Sequence, residues 1–188
     1  MSNLISVYIR PHLVPFLYKE LEAEKEARYE YRKSKLVRVT KMSVLGQFIY
    51  LFKTRAKEKV PSKISGYHIF LSFDANDIAN SNAMVCERSN RDNIHIELLP
   101  SDVKLLNDLL ESIFRISFEQ FINGYVKNRT GNKVVNDGVH QFMLMHDLYN
   151  TDLDPESLRR LYYNSKKKPL MYRMQVPTSS QIKYYATA

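Results

Sequence analysis

The sequence predicts an α+β fold, with a small sheet and packed helices in the N-terminal part and a mainly helical C-terminal part. Three observations carry this. Short stretches of alternating apolar residues recur up to residue 98, the period of half-buried strands. Helical spacing of apolar residues takes over after Pro100. A chain of 188 residues, 44% of them hydrophobic, has enough apolar surface for one compact domain or two small ones.

The elements follow in order. Ile5, Val7 and Ile9 alternate with Ser6, Tyr8 and Arg10, and Pro11 ends this strand. A helix begins near Leu13, tolerating Pro15 in its first turn, with Phe16, Leu17 and Leu21 on its apolar face. Residues 19–35 alternate acids and bases, the composition of an exposed helix or hairpin laced with ion pairs. Leu36, Val37 and Val39 form a second strand. Ser43 caps a helix carrying Val44, Leu45, Phe48, Ile49, Leu51 and Phe52. Lys53, Arg55, Lys57 and Lys59 end that helix, where cations complement its dipole. Residues 61–66 are a turn-rich break, 67–73 a strand and 74–92 a loop.

Residues 93–127 read as strand, helix, helix. Ile94, Ile96 and Leu98 alternate with His95 and Glu97; Pro100 and Ser101 stop the strand and cap a helix. Val103, Leu106, Leu110, Ile113 and Phe114 recur on its apolar face. Ser117 opens a second helix, with Gln120 completing a capping box, and Phe118, Phe121, Ile122, Tyr125 and Val126 face inward. This segment is core. A boundary at the polar residues 128–131 gives an α+β domain over 1–128, a helical hairpin over 129–168 and a C-terminal arm over 169–188.

Charge narrows the partners. The net charge is +8 and the pI about 9.4, which favours polyanions. The excess sits at the two ends. Residues 1–66 carry 14 Lys/Arg against 6 Asp/Glu and residues 122–188 carry 10 against 5, whereas the middle has 4 against 9. A single cysteine, Cys86, excludes an intramolecular disulfide framework and a multi-cysteine zinc cluster. No apolar run approaches the roughly 18 residues that span a bilayer, and the N-terminus alternates instead of forming a signal-peptide core, so no membrane partner and a cytoplasmic location are expected. The five histidines are scattered, with His140 and His146 six apart, off one helix face. Asp74, Asp77, Asp152 and Asp154 fit loop and capping roles, and no phosphate-cradling glycine loop exists. No catalytic residue, metal ligand or cofactor is expected.

The C-terminal region holds the strongest functional signal. Val134, Val135, Val139, Phe142 and Met143 give a helix over about residues 133–148, weakened by Gly138 by roughly 1 kcal/mol relative to Ala. After a short connection, Asp154 caps a second helix, Pro155 suits its first position and Glu156 its positive end. Leu158, Leu161 and Tyr162 face one side; Arg159, Arg160, Tyr163, Lys166 and Lys167 project elsewhere. Helix, short connection and basic helix is the arrangement of a helix-turn-helix DNA reader. Arginine forks onto guanine edges or phosphate, and lysine neutralises phosphate. The tail over 169–188 interleaves Tyr172, Tyr184 and Tyr185 with Arg173 and Lys183, which suits an arm stacking on bases or on a partner, or else a tail packed on its own domain or a frayed terminus.

Phe142 to Tyr149, the Glu-Ser-Leu-Arg-Arg-Leu-Tyr-Tyr run within residues 154–168, Pro11 to Leu17 and Leu45 to Ile49 resemble small uncharacterised proteins of phages and conjugative elements from Bacteroidetes-type bacteria. The resemblance implies a mobile-element origin and brings no activity or site residues. The expected function is non-catalytic nucleic-acid binding, double-stranded DNA foremost. Arg159, Arg160, Tyr163, Lys166 and Lys167 would make the contacts, with a second patch at Lys53, Arg55, Lys57 and Lys59. The alternative is a structural or protein-interaction component that forms a homo-oligomer through the central helices.

Overall fold

The computed structural model describes residues 3–21, 25–29, 32–40, 42–55, 67–73, 96–127, 129–131 and 133–166. The chain divides into two units that interleave in sequence: Met1–Ile9 with Glu20–Leu106, and Arg10–Lys19 with Asn107–Ala188.

The first unit carries the strands β1 (Asn3–Tyr8), β2 (Lys25–Tyr29), β3 (Arg32–Arg38), β4 (Lys53–Arg55), β5 (His68–Phe73) and β6 (Ile96–Leu98), and the helix α2 (Val44–Phe52). Four strands order as β1-β5-β3-β2; β4 and β6 form a separate pair. β1 runs antiparallel to β5 with Val7 opposite Ile69, and β3 runs parallel to β5 with Val37 opposite Leu71. All four residues are buried, so the alternation seen in the sequence sets which side of the sheet is dry. The alternating acid–base stretch pairs with itself as β2 and β3. Before α2, the Ser43 hydroxyl donates to the Thr40 carbonyl at 2.7 Å and accepts from the Gly46 amide at 3.0 Å. That hairpin-tight approach explains the glycine, because a Cβ on Gly46 would lie 1.9 Å from the Thr40 carbonyl oxygen.

The helix end expected at Lys53 and Arg55 is a strand instead. α2 stops at Phe52, and Lys53 and Arg55 lie on β4, which pairs antiparallel with β6 through Thr54 opposite Glu97. Cations at a helix end are also compatible with a strand, and cross-strand pairing decided between the two.

The second unit is mainly helical. It contains α1 (Leu13–Glu20) up to Lys19, the larger part of α3 (Pro100–Lys127), α4 (Val134–Met145), a 3-10 turn at Leu148–Asn150 and α5 (Pro155–Ser165). α3 is one helix of 28 residues, so the second start expected at Ser117 does not occur. The reason is periodicity. Leu110, Phe114, Phe118 and Ile122 are all buried and follow at four-residue intervals straight through Ser117, with no proline or glycine to interrupt them. A serine followed three residues later by glutamine is a cap only where the apolar stripe begins.

Aromatic rings fill the interior of this unit. Phe114 meets Phe16 edge-on with centroids 5.1 Å apart, and Phe142 contacts Phe118 at 5.1 Å and the buried His146 at 4.3 Å. Gly138 is buried, and a Cβ there would come within 3.1 Å of Ile122 and Tyr125, so the glycine lets α4 approach α3 closely. α4 ends where Asp147 takes a left-handed conformation, φ 54°; aspartate is among the few side chains that visit this region readily.

Candidate functional site

α5 starts as its residues dictate. The Asp154 carboxylate accepts from the Ser157 amide at 3.2 Å, Pro155 occupies the first turn and Glu156 follows it. Leu158, Leu161 and Tyr162 are buried, and the Tyr162 hydroxyl donates to Asn123 Oδ1 at 3.0 Å. Anchoring that side turns Arg159, Arg160, Tyr163 and Lys166 to solvent. Arg159, Arg160 and Tyr163 are therefore brought onto α5, with Lys166 at its C-terminal cap. Lys167 lies outside the described residues, as do Lys57, Lys59 and the arm over 169–188; Lys53 and Arg55 stand on β4 in the other unit.

The exposed face is organised by one acid. Glu156 accepts a fork from Arg159, Nε to Oε2 at 2.8 Å and a terminal nitrogen to Oε1 at 2.8 Å, and a third bond from Arg160 Nε at 3.2 Å. The Arg159 hydrogen bond is the main influence holding the Glu156 carboxyl below its ordinary value, and the same pairing raises Arg159. The pairs are open to water, with Glu156 41% exposed and Arg160 75%, so they are weak and exchangeable. Lys166 Nζ sits 4.6 Å from the centre of the Tyr162 ring. Elsewhere on this unit, the Arg129 guanidinium lies 3.6 Å over the ring of Tyr125.

The connection between α4 and α5 runs from His146 to Asp154 and contains the 3-10 turn at Leu148–Asn150. A helix-turn-helix joins its helices through roughly three to four residues. The longer segment here is fixed by its own contacts: Leu148 and Leu153 are buried, and Thr151 Oγ1 donates to the Leu148 carbonyl at 2.6 Å.

A second ionic cluster was not foreseen from the sequence. Glu111 on α3 has a fully buried side chain. Its Oε2 accepts from His12 Nε2 at 2.9 Å and Arg10 at 3.3 Å, and its Oε1 accepts from Arg115 Nε at 3.0 Å. Arg10 also pairs with Asp108 and donates its backbone amide to Asn107 Oδ1 at 2.9 Å. Burial pushes the Glu111 carboxyl up, but the His12 hydrogen bond with the charges of His12, Arg115 and Arg10 outweighs it and holds the group at about 2, against an ordinary 4.5. Both oxygens are committed and no solvent reaches them, so the cluster ties the Arg10–His12 segment to α3. The Glu111–Arg115 spacing of four was the only local sign of it; its other partners lie about a hundred positions away along the chain.

No protein-family model matches the chain, and no curated protein or solved structure matches it. Among the described residues, no helix is long and apolar enough to cross a membrane.

Proposed function

We propose that the chain is a non-catalytic nucleic-acid-binding protein, with DNA its foremost target, of a phage or mobile element, acting in the cytoplasm through the outer face of α5. The observation that supports this is the grouping of Arg159, Arg160 and Lys166 with exposed Tyr163 on a helix whose opposite side is anchored by Leu158, Leu161 and Tyr162. Phosphate oxygens can replace Glu156 as acceptors for the two guanidinium groups, because both pairs are open to solvent. The net charge of +8 draws a polyanion to the surface. Free energy would come largely from counterion release, so affinity falls steeply with salt.

Titration of a labelled random duplex and a labelled single strand at two salt concentrations, with heparin as competitor, tests this. Binding at low salt that weakens several-fold at the higher salt is expected. Failure to bind either strand form at low salt overturns the proposal.

A second reading is favoured by Leu144, Met145 and Tyr149, which are exposed around the end of α4. Exposed apolar side chains suit a protein interface, and the chain would then be a structural component that self-associates. Light scattering on the purified protein separates the two readings: a monomer that binds DNA supports the first, and an oligomer indifferent to DNA supports the second.

A further inference from the structure

We infer that the outer face of α5 takes unpaired bases, a single-stranded nucleic acid stacked on Tyr163, and does not read a duplex groove. The inference rests on the nucleic-acid reading above and names the form of its ligand.

Tyr163 is 49% exposed, and its neighbour Tyr162 is buried. The two rings meet edge to face with centroids 5.7 Å apart. Tyr162 is itself fixed by its hydroxyl on Asn123 and carries Lys166 Nζ over its ring. A braced ring with a solvent-facing side is a platform already paid for in side-chain entropy. Arg159, Tyr163 and Lys166 follow at intervals of four and three, so they form one stripe along the helix. The stripe rises about 10 Å from first to last and places one cationic residue a turn before Tyr163 and one a turn after it. A strand laid along it meets a cation, an aromatic face and a second cation, the combination that holds single strands without base-edge readout.

Groove reading fits less well. A recognition helix presents its N-terminal residues to the bases, and the first turn here presents Asp154 and Glu156, which would face phosphates of like charge. The cations stand from the middle of α5 to its end. The α4–α5 connection is also longer than the tight turn that sets a recognition helix against its partner.

The test uses the full chain, which has no tryptophan. Tyr163→Trp therefore introduces a single indole at the proposed platform. Oligothymidylate, oligouridylate and a random duplex are titrated against it and against Tyr163→Phe and Tyr163→Ala, with anisotropy of the labelled nucleic acid read in parallel. Expected results are quenching of the indole by a single strand, preference for a single strand over the duplex, retention of affinity by Tyr163→Phe and a loss of roughly ten-fold or more in Tyr163→Ala. The two oligonucleotides distinguish DNA from RNA as the source of the unpaired bases. Equal or tighter duplex binding, or a Tyr163→Ala variant that binds single strands as the parent does, overturns the stacking inference and leaves the nucleic-acid reading standing. Absence of binding to all three probes overturns both.

Discussion

Two glutamates on this chain each gather arginines, and they do opposite things with them. Glu111 on α3 holds Arg10, Arg115 and His12 with its side chain fully buried. Glu156 on α5 holds Arg159 and Arg160 at the surface. The hydrogen-bond chemistry is the same and the surroundings are not. Inside, removing one partner strands desolvated charge, so breaking the cluster is costly. Outside, water competes at every contact, so the arginines can be handed from a carboxylate to a phosphate at little cost. The buried cluster therefore belongs to the fold, and the exposed one is where the proposed binding would act.

The largest expected effect follows from breaking the buried cluster. Glu111→Ala leaves cationic side chains without their carboxylate and should cost about 3–5 kcal/mol of stability in a denaturant titration. The matching change Glu156→Ala should leave the unfolding midpoint nearly unmoved. If the two variants lose similar stability, the contrast between them is wrong.

Acid should reveal the same cluster. The Glu111 carboxyl titrates at about 2 in the folded chain against an ordinary 4.5. The unfolded state therefore binds the proton first, so the contribution is fully present above about pH 4.5 and is lost as pH falls towards 2. Its size is on the order of 3 kcal/mol. Stability measured across that window should drop in the parent, and the drop should be smaller by this amount in Glu111→Gln.

Smaller again is the cap of α5. Asp154→Ala removes the acceptor of the Ser157 amide and should cost about 1 kcal/mol, measured by thermal unfolding, whereas Asp154→Asn should cost less. The smallest effect sharpens the exposed side of the comparison. Glu156→Gln releases both arginines from their anionic partner and should raise nucleic-acid affinity by about two- to five-fold at low salt. An unchanged or weaker affinity would mean that Glu156 orients the arginines for their ligand and does not compete with it.

Local signals in the sequence were strong enough for α5. Asp154, Pro155 and Glu156 mark its start, and Leu158, Leu161 and Tyr162 mark its dry side; the structure has both. The same kind of signal misled at Ser117, because a capping pattern and a mid-helix serine look alike until the apolar stripe is followed past them. It misled again after Phe52, where a basic run continues the helix on propensity but Lys53–Arg55 pairs with β6, some forty residues further along the chain. Gly138 reads in sequence as a weakness of α4; in the folded unit a Cβ there would press on Ile122 and Tyr125 of α3. What could not be read was anything held by distant partners. Arg10 and His12 look like the end of a strand, and nothing near them announces Glu111. The helical unit takes its Arg10–Lys19 segment from the far end of the chain for the same reason: contacts across the fold leave no periodicity in either stretch.

The most direct measurement is the salt dependence of nucleic-acid binding in the parent and in the double variant Arg159→Gln/Arg160→Gln. Glutamine removes the charge without adding repulsion against Glu156, and unfolding curves verify that α5 remains intact. Loss of roughly ten-fold or more in affinity at low salt is expected, with a slope of log affinity against log salt shallower by about 2, the share of two phosphate contacts. A double variant with the parent's affinity and slope would contradict the assignment of binding to the exposed arginines of α5.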